Sequence, residues 1–185
     1  DGGSYCDLDA ALRRAQVILD EGADILDVGG ESTRPGSQGV SVDEELARVV
    51  PIISALRQGA SPYPLPISID TGRAQVAEAA LVAGAEVVND VSGGAREPEI
   101  LEVAARHGAG VILMHMRGQP QNMQDHLDYE DLLADVVEGL RRSCRAASAA
   151  GIPSERQAVD PGIGFGKSAA GCLELVSCLN ELQKL

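Results

Sequence analysis

Three phrases of this chain, GADILDVGG from Gly22, GAEVVNDVSGG from Gly84 and GAGVILMH from Gly108, are variants of one unit. Each opens on a glycine suited to ending a helix, runs through a short apolar stretch and closes on a polar side chain. Apolar residues at helical spacing fill the intervals between them. A chain that alternates helix and apolar strand in this way builds a parallel sheet, because parallel neighbours need a crossover connection and a helix supplies it.

The first helix has a face of Leu8, Leu12, Ala15 and Leu19, with Gly22 as its C-cap, and a strand follows over 24–28. Ser41 and Glu44 form a capping box for a second helix that turns Leu46, Val49 or Val50, Ile53 and Leu56 inward. Pro51 lies inside that helix and predicts a kink. After the loop SPYPLP, strands are predicted over 67–70, 86–89, 111–115 and 157–160. Helices are predicted over about 73–83, 97–106, 129–150 and 171–184. Five strands are readable in one α/β domain spanning 1–185. An eight-stranded barrel and an open doubly wound sheet both fit this pattern. A complete (β/α)8 barrel takes roughly 250 residues, so 185 residues fall short of one by about three units.

Composition narrows the function. The net charge is -13 and the basic residues are scattered, so no basic stripe exists to neutralise nucleic-acid phosphates. The longest apolar runs are too short to span a bilayer. With 2% aromatic residues and no Trp, the core must be aliphatic. Cys6, Cys144, Cys172 and Cys178 form no CxxC pair and have no histidine at metal-site spacing, which predicts reduced thiols in a cytoplasmic protein.

In either architecture ligands bind at the carboxyl ends of the strands. The side chains that close them are Asp27, Asp70, Asn89, His115 and Asp160. Two carboxylates and a carboxamide complement the N–H-rich edge of a nitrogen heterocycle. After the first strand, DVGGESTRPGS supplies Gly29 and Gly30 for close backbone approach or positive φ, then Ser32, Thr33 and Arg34 as donors for an oxyanion, and Pro35 and Gly36 to turn the chain. Plainer roles are open to many of these residues. Asp27 could pair near the sheet, Asp70 could cap a helix, Asn89 could sit in a turn, and Asp160 could start one. His107 and His115 read as packed or solvent-facing, Met116 and Met123 as core fillers, Lys167 as a surface cation, and Asp43 to Glu45 as a solvated helix start.

Five motifs in one order, DVGGESTRPGS at 27–37, SIDTG at 68–72, VNDVSGG at 88–94, ILMHMRGQPQNMQ at 112–124 and DPGIGFGK at 160–167, resemble the signature of the dihydropteroate synthase family. The resemblance implies a pterin-binding TIM barrel, incomplete and truncated at both ends. It also implies condensation of p-aminobenzoate with 6-hydroxymethyl-7,8-dihydropterin diphosphate. Asp70, Asn89 and Asp160 would hold the pterin ring; Val91, Ile112, Met114 and Phe165 would line its faces. Ser32, Thr33 and Arg34 would handle diphosphate and p-aminobenzoate, and Asp70, Arg34 and Asp160 would be catalytic. Mg²⁺ is the implied cofactor, with the family's asparagine ligand placed before Asp1 and no metal ligand assigned within the chain. A homodimer through outer helices is also implied. Two other readings stand beside it: a pterin-binding domain of a corrinoid-dependent methyltransferase, which has no use for the STRPGS loop, and a non-catalytic fragment. Because the family's outer strands fall outside the chain, the expectation is that these 185 residues alone do not turn over.

Overall fold

The computed structural model describes residues 7–34, 39–59, 62–118, 122–125 and 127–185. Pro35, Gly36 and Cys6, on which expectations were placed, lie outside the described residues. The elements run α1 (Leu8–Asp20), β1 (Leu26–Gly29), α2 (Val42–Gln58), β2 (Ile67–Asp70), α3 (Ala74–Ala83), β3 (Val87–Asp90), α4 (Glu99–His107), β4 (Gly110–Met114), α5 (Leu132–Ala149), β5 (Gln157–Asp160), α6 (Ala169–Ser177) and α7 (Leu179–Leu182). All five strands are parallel, in the order β1-β2-β3-β4-β5. Sequential neighbours joined by helices are the arrangement of a (β/α)8 barrel, of which five strands are present and β1 and β5 form the edges.

Alternation along the strands decides what faces where. Leu26, Val28, Ile67, Ile69, Val88, Val111 and Leu113 turn toward the helices and are buried, meeting Val49, Ile53, Val76, Ala80 and Ile100 in one aliphatic core. Each fully buried Ile or Leu stabilises the fold by about 1.5–3 kcal/mol. A second cluster, Leu132, Val136, Leu140, Leu175 and Leu182, seats α6 and α7 on α5.

Helix starts are fixed by short polar side chains. Asp7, Ser41, Asp131 and Ser168 each accept a hydrogen bond from a backbone N–H three residues on. Left-handed glycines end four of the helical segments, with Gly22, Gly84, Gly108 and Gly151 at φ 86°, 115°, 63° and 101°. The helix α2 continues through Pro51 without a break, an assignment that leaves the expected kink neither met nor excluded. Two expectations need correction. The buried face of α1 is Ala11 and Ala15, flanked by Leu12, Ile18 and Leu19, whereas Leu8 is exposed. The predicted closing helix is two helices parted at Cys178, and it begins at Ala169 because Ser168 caps it.

Candidate active site

The inner face of the sheet carries the polar strand residues. Register places Gly29 beside Asp70, Asp70 beside Asn89, Asn89 beside Ile112 and Ile112 beside Ala158, in one row across five strands. Asp160 pairs with Met114, one layer further toward the carboxyl ends. One layer below, Asp27 lies beside Ser68, whose Oγ donates to Asp27 Oδ1 at 2.5 Å. Asn89 Nδ2 donates to Asp27 Oδ2 at 3.2 Å. Asp27 therefore pairs within the sheet, as its plainer reading held, and orients the Asn89 amide with its oxygen free of that bond.

Asp70 is not a helix cap: the N-cap of α3 is Arg73, and Glu97 Oε2, reaching from the next loop, accepts the Ala74 N–H at 2.8 Å. Burial raises the Asp70 carboxyl to about 7, and the like charges of Asp27, Glu45, Asp90 and Glu31 push in the same direction. A cleft of about 530 Å³ opens beside it. Ser32, Thr33, Asp70 and Val91 of the expected set line this cleft. Asn89, Ile112, Met114, Asp160, Phe165 and Arg34 are not among its lining residues; Arg34 is exposed, and its N–H donates to Ser32 Oγ at 3.4 Å.

Asp160 Oδ1 accepts the Gly162 N–H at 2.7 Å, so this carboxylate opens a turn and stands on the rim as well. Gly162 comes so close to β4 that an added Cβ would lie 2.1 Å from the His115 carbonyl oxygen. Lys167 is buried, contrary to its reading as a surface cation. Its Nζ donates to the carbonyls of His115 and Phe165, both at 2.9 Å, which ties the GIGFGK loop to the end of β4. Burial lowers its ammonium to about 8. His115 is packed, as expected: burial lowers its imidazole to about 4, with Lys167 adding repulsion, and its Nδ1 has no partner. Met114 and Met123 are buried.

Glu45 overturns the reading of 43–45 as a solvated helix start. It is fully buried, its two oxygens taken by Thr71 Oγ1 at 2.6 Å and Arg73 Nη1 at 2.7 Å. Arg73 reaches on to Glu31 Oε1 at 3.3 Å and the Val40 carbonyl at 2.8 Å, and Glu31 also accepts the Val40 N–H. This network ties the loop after β1 to the loop after β2. A signal for Glu45 was present: it precedes Val49, Ile53 and Leu56 on their own helical face. Gly30 belongs to the same packing. It approaches α2 rather than a ligand, since a Cβ there would stand 2.9 Å from Glu45 Cγ, and neither Gly29 nor Gly30 has positive φ. Asp90 was also missed. It is buried and accepts from the Ser92 and Gly94 N–H groups at 2.8 and 2.7 Å, fixing the VSGG turn that presents Val91.

Residues 1–185 match the family described as pterin binding enzyme. The dihydropteroate synthase of Synechocystis is 49% identical over 185 residues, covering 100% of this chain and 63% of its own length. The Yersinia pestis dihydropteroate synthase, solved as a sulfonamide drug complex, superposes with a TM-score of 0.92 at 44% identity, covering 100% of this chain and 65% of that one. The Burkholderia cenocepacia enzyme, complexed with 7,8-dihydropteroate, gives 0.84 at 45% identity, covering 93% and 60%. The chain spans just under two thirds of the length of these relatives.

Proposed function

The chain belongs to the pterin-binding enzyme family, and on that premise we propose that the protein carries out the dihydropteroate synthase reaction of folate biosynthesis. The observation that carries this reading is the inner-face row in which Asp70 and Asn89 stand side by side. Ser32 and Thr33 line the same cleft as Asp70. Asp70, Asn89 and Asp160 accept and donate along the heterocycle edge, and Val91, Ile112, Met114 and Phe165 supply apolar contact. Ser32, Thr33 and Arg34 receive the diphosphate and the p-aminobenzoate carboxylate.

The aniline nitrogen of p-aminobenzoate forms a bond to the exocyclic methylene of the dihydropterin while the methylene–oxygen bond to diphosphate breaks. Positive charge develops on the dihydropterin as the leaving group departs. Carboxylates on the ring edge stabilise it, and an ionised Asp70 gains most from that charge. Little proton transfer is needed before attack, because an aniline is neutral at pH 7. The amine loses its proton after the bond forms.

We propose Mg²⁺ as cofactor on the chemistry of a diphosphate leaving group, whose growing charge a divalent ion offsets. Among the described residues no group of three His, Cys, Asp or Glu is placed to hold a metal ion. These residues do not make its site. A cytoplasmic location and a homodimer complete the proposal. No helix among the described residues is long and apolar enough to cross a membrane, and sedimentation of the purified protein tests the dimer.

The decisive experiment follows 7,8-dihydropteroate formation from p-aminobenzoate and the pterin diphosphate by the purified protein and by Asp70→Asn. Where the remaining strands of the barrel accompany residues 1–185, turnover with a loss of about 10²–10³ in kcat/KM for the variant is the expected result, and residues 1–185 alone are expected not to turn over. Binding of a folate-like pterin without binding of diphosphate would point instead to the methyltransferase reading.

A further inference from the structure

We infer that Arg96 is an oxyanion-binding residue of this cleft, exchanging its contact with Glu31 for the diphosphate of the pterin substrate. The inference rests on the function proposed above and names a contact that reading leaves out.

The walls of the cleft are acidic where they are charged, with Glu31, Glu45 and Asp70 among them. A polyanionic substrate would be repelled unless a cation stood there too. Arg34 is not in the wall. Among the described lining residues, Arg96 is the one cation. Its Nη1 donates to Glu31 Oε2 at 3.2 Å, and its side chain is 46% exposed.

The loop holds the base of Arg96 and leaves its side chain half-exposed. The Arg96 N–H donates to Ser92 Oγ at 3.0 Å, and Gly72 leaves room for the stem, since a Cβ there would touch Arg96 Cδ at 3.1 Å. An ion pair this exposed is weak, being screened by water and opposed by side-chain entropy. Glu31, by contrast, is well shielded and keeps a second guanidinium, Arg73, on its other oxygen. Release of Arg96 therefore leaves Glu31 still in contact with Arg73, a guanidinium that it shares with Glu45. A diphosphate offers the guanidinium a more highly charged, bidentate partner, so the exchange runs toward the ligand. Glu31 parks the guanidinium at the cleft mouth and preorganises it for capture.

Calorimetric titration of the protein with 6-hydroxymethylpterin and with its diphosphate ester tests this. Arg96→Met should weaken the ester by ten- to a hundredfold while changing the uncharged pterin by less than twofold. Arg96→Lys should recover part of the ester affinity, and the ester's salt dependence should be shallower in Arg96→Met than in the wild type. An unchanged ester affinity in Arg96→Met, with pterin bound normally, overturns the assignment alone. Equal weakening of both ligands also overturns it, since it marks a structural role. A wild type that binds neither ligand overturns the functional reading and this inference together.

Discussion

At the scale of single residues, position and stability conflict most openly at Asp70. Its carboxyl titrates near 7 in the fold and near 3.9 in an unfolded chain. The folded state thus holds the proton more tightly. Stability from this group is fully present below about pH 3.9 and is lost as pH rises through 7. The shift corresponds to about 4 kcal/mol at most, and solvent screening reduces it to roughly 1–3 kcal/mol. Asp70→Asn is therefore expected to raise the urea midpoint at pH 8, to leave it unchanged at pH 4, and to lower synthesis by the same factor of about 10²–10³. Equal midpoints at both pH values would show that the carboxyl is not strained. Glu45 presents the opposite case. Its loss would leave Arg73 buried without its main partner, so Glu45→Ala should destabilise by about 3–5 kcal/mol in chemical denaturation. A cost under 1 kcal/mol would mean that the guanidinium escapes to solvent.

At the scale of elements, the loop between β5 and α6 holds three left-handed glycines, of which Gly162 and Gly164 carry contrasting constraints. Both have positive φ, at 70° for Gly162 and 86° for Gly164. Gly164→Ala meets open space and should cost only the left-handed strain, about 1–2 kcal/mol. Gly162→Ala must also displace the His115 carbonyl, and should cost clearly more and expose Lys167. Thermal melts of the two variants rank them. His115 sits at the end of β4 with no space between its ring and Gly139 of α5. Its imidazole stays neutral down to about 4, whereas in an unfolded chain it protonates near 6.5. Stability from this packing is present above 6.5 and is lost as pH falls toward 4, a slope that His115→Gln should flatten.

Elements were easier to read from sequence than contacts. Strands β2 and β5 fall where their apolar runs lie, and the glycines after α3 and α4 mark where those helices stop, because these signals are local. Glu45, Glu31, Arg73 and Arg96 were illegible as a network, because their partners are 26 to 65 residues apart in sequence. The burial of Lys167 was hidden for the same reason: its acceptor belongs to a strand 52 residues earlier.

At the scale of the whole molecule, the net charge of -13 means that surface carboxylates repel one another throughout the fold. Screening should relieve this, so raising salt from about 0.02 to 0.2 M is expected to raise the melting temperature by a few degrees while slowing capture of the anionic substrate. A melting temperature that fell with salt would show that ion pairs outweigh the repulsion. The chain contains only two lysines, Lys167 and Lys184. One is clasped between two carbonyls beneath a glycine turn, and the other has a side chain 67% exposed at the far end of the chain. Within residues 1–185, acylating reagents thus have one lysine to attack in the native fold, and a second lysine adduct on these residues in the mass spectrum would report the moment the β5–α6 loop comes undone.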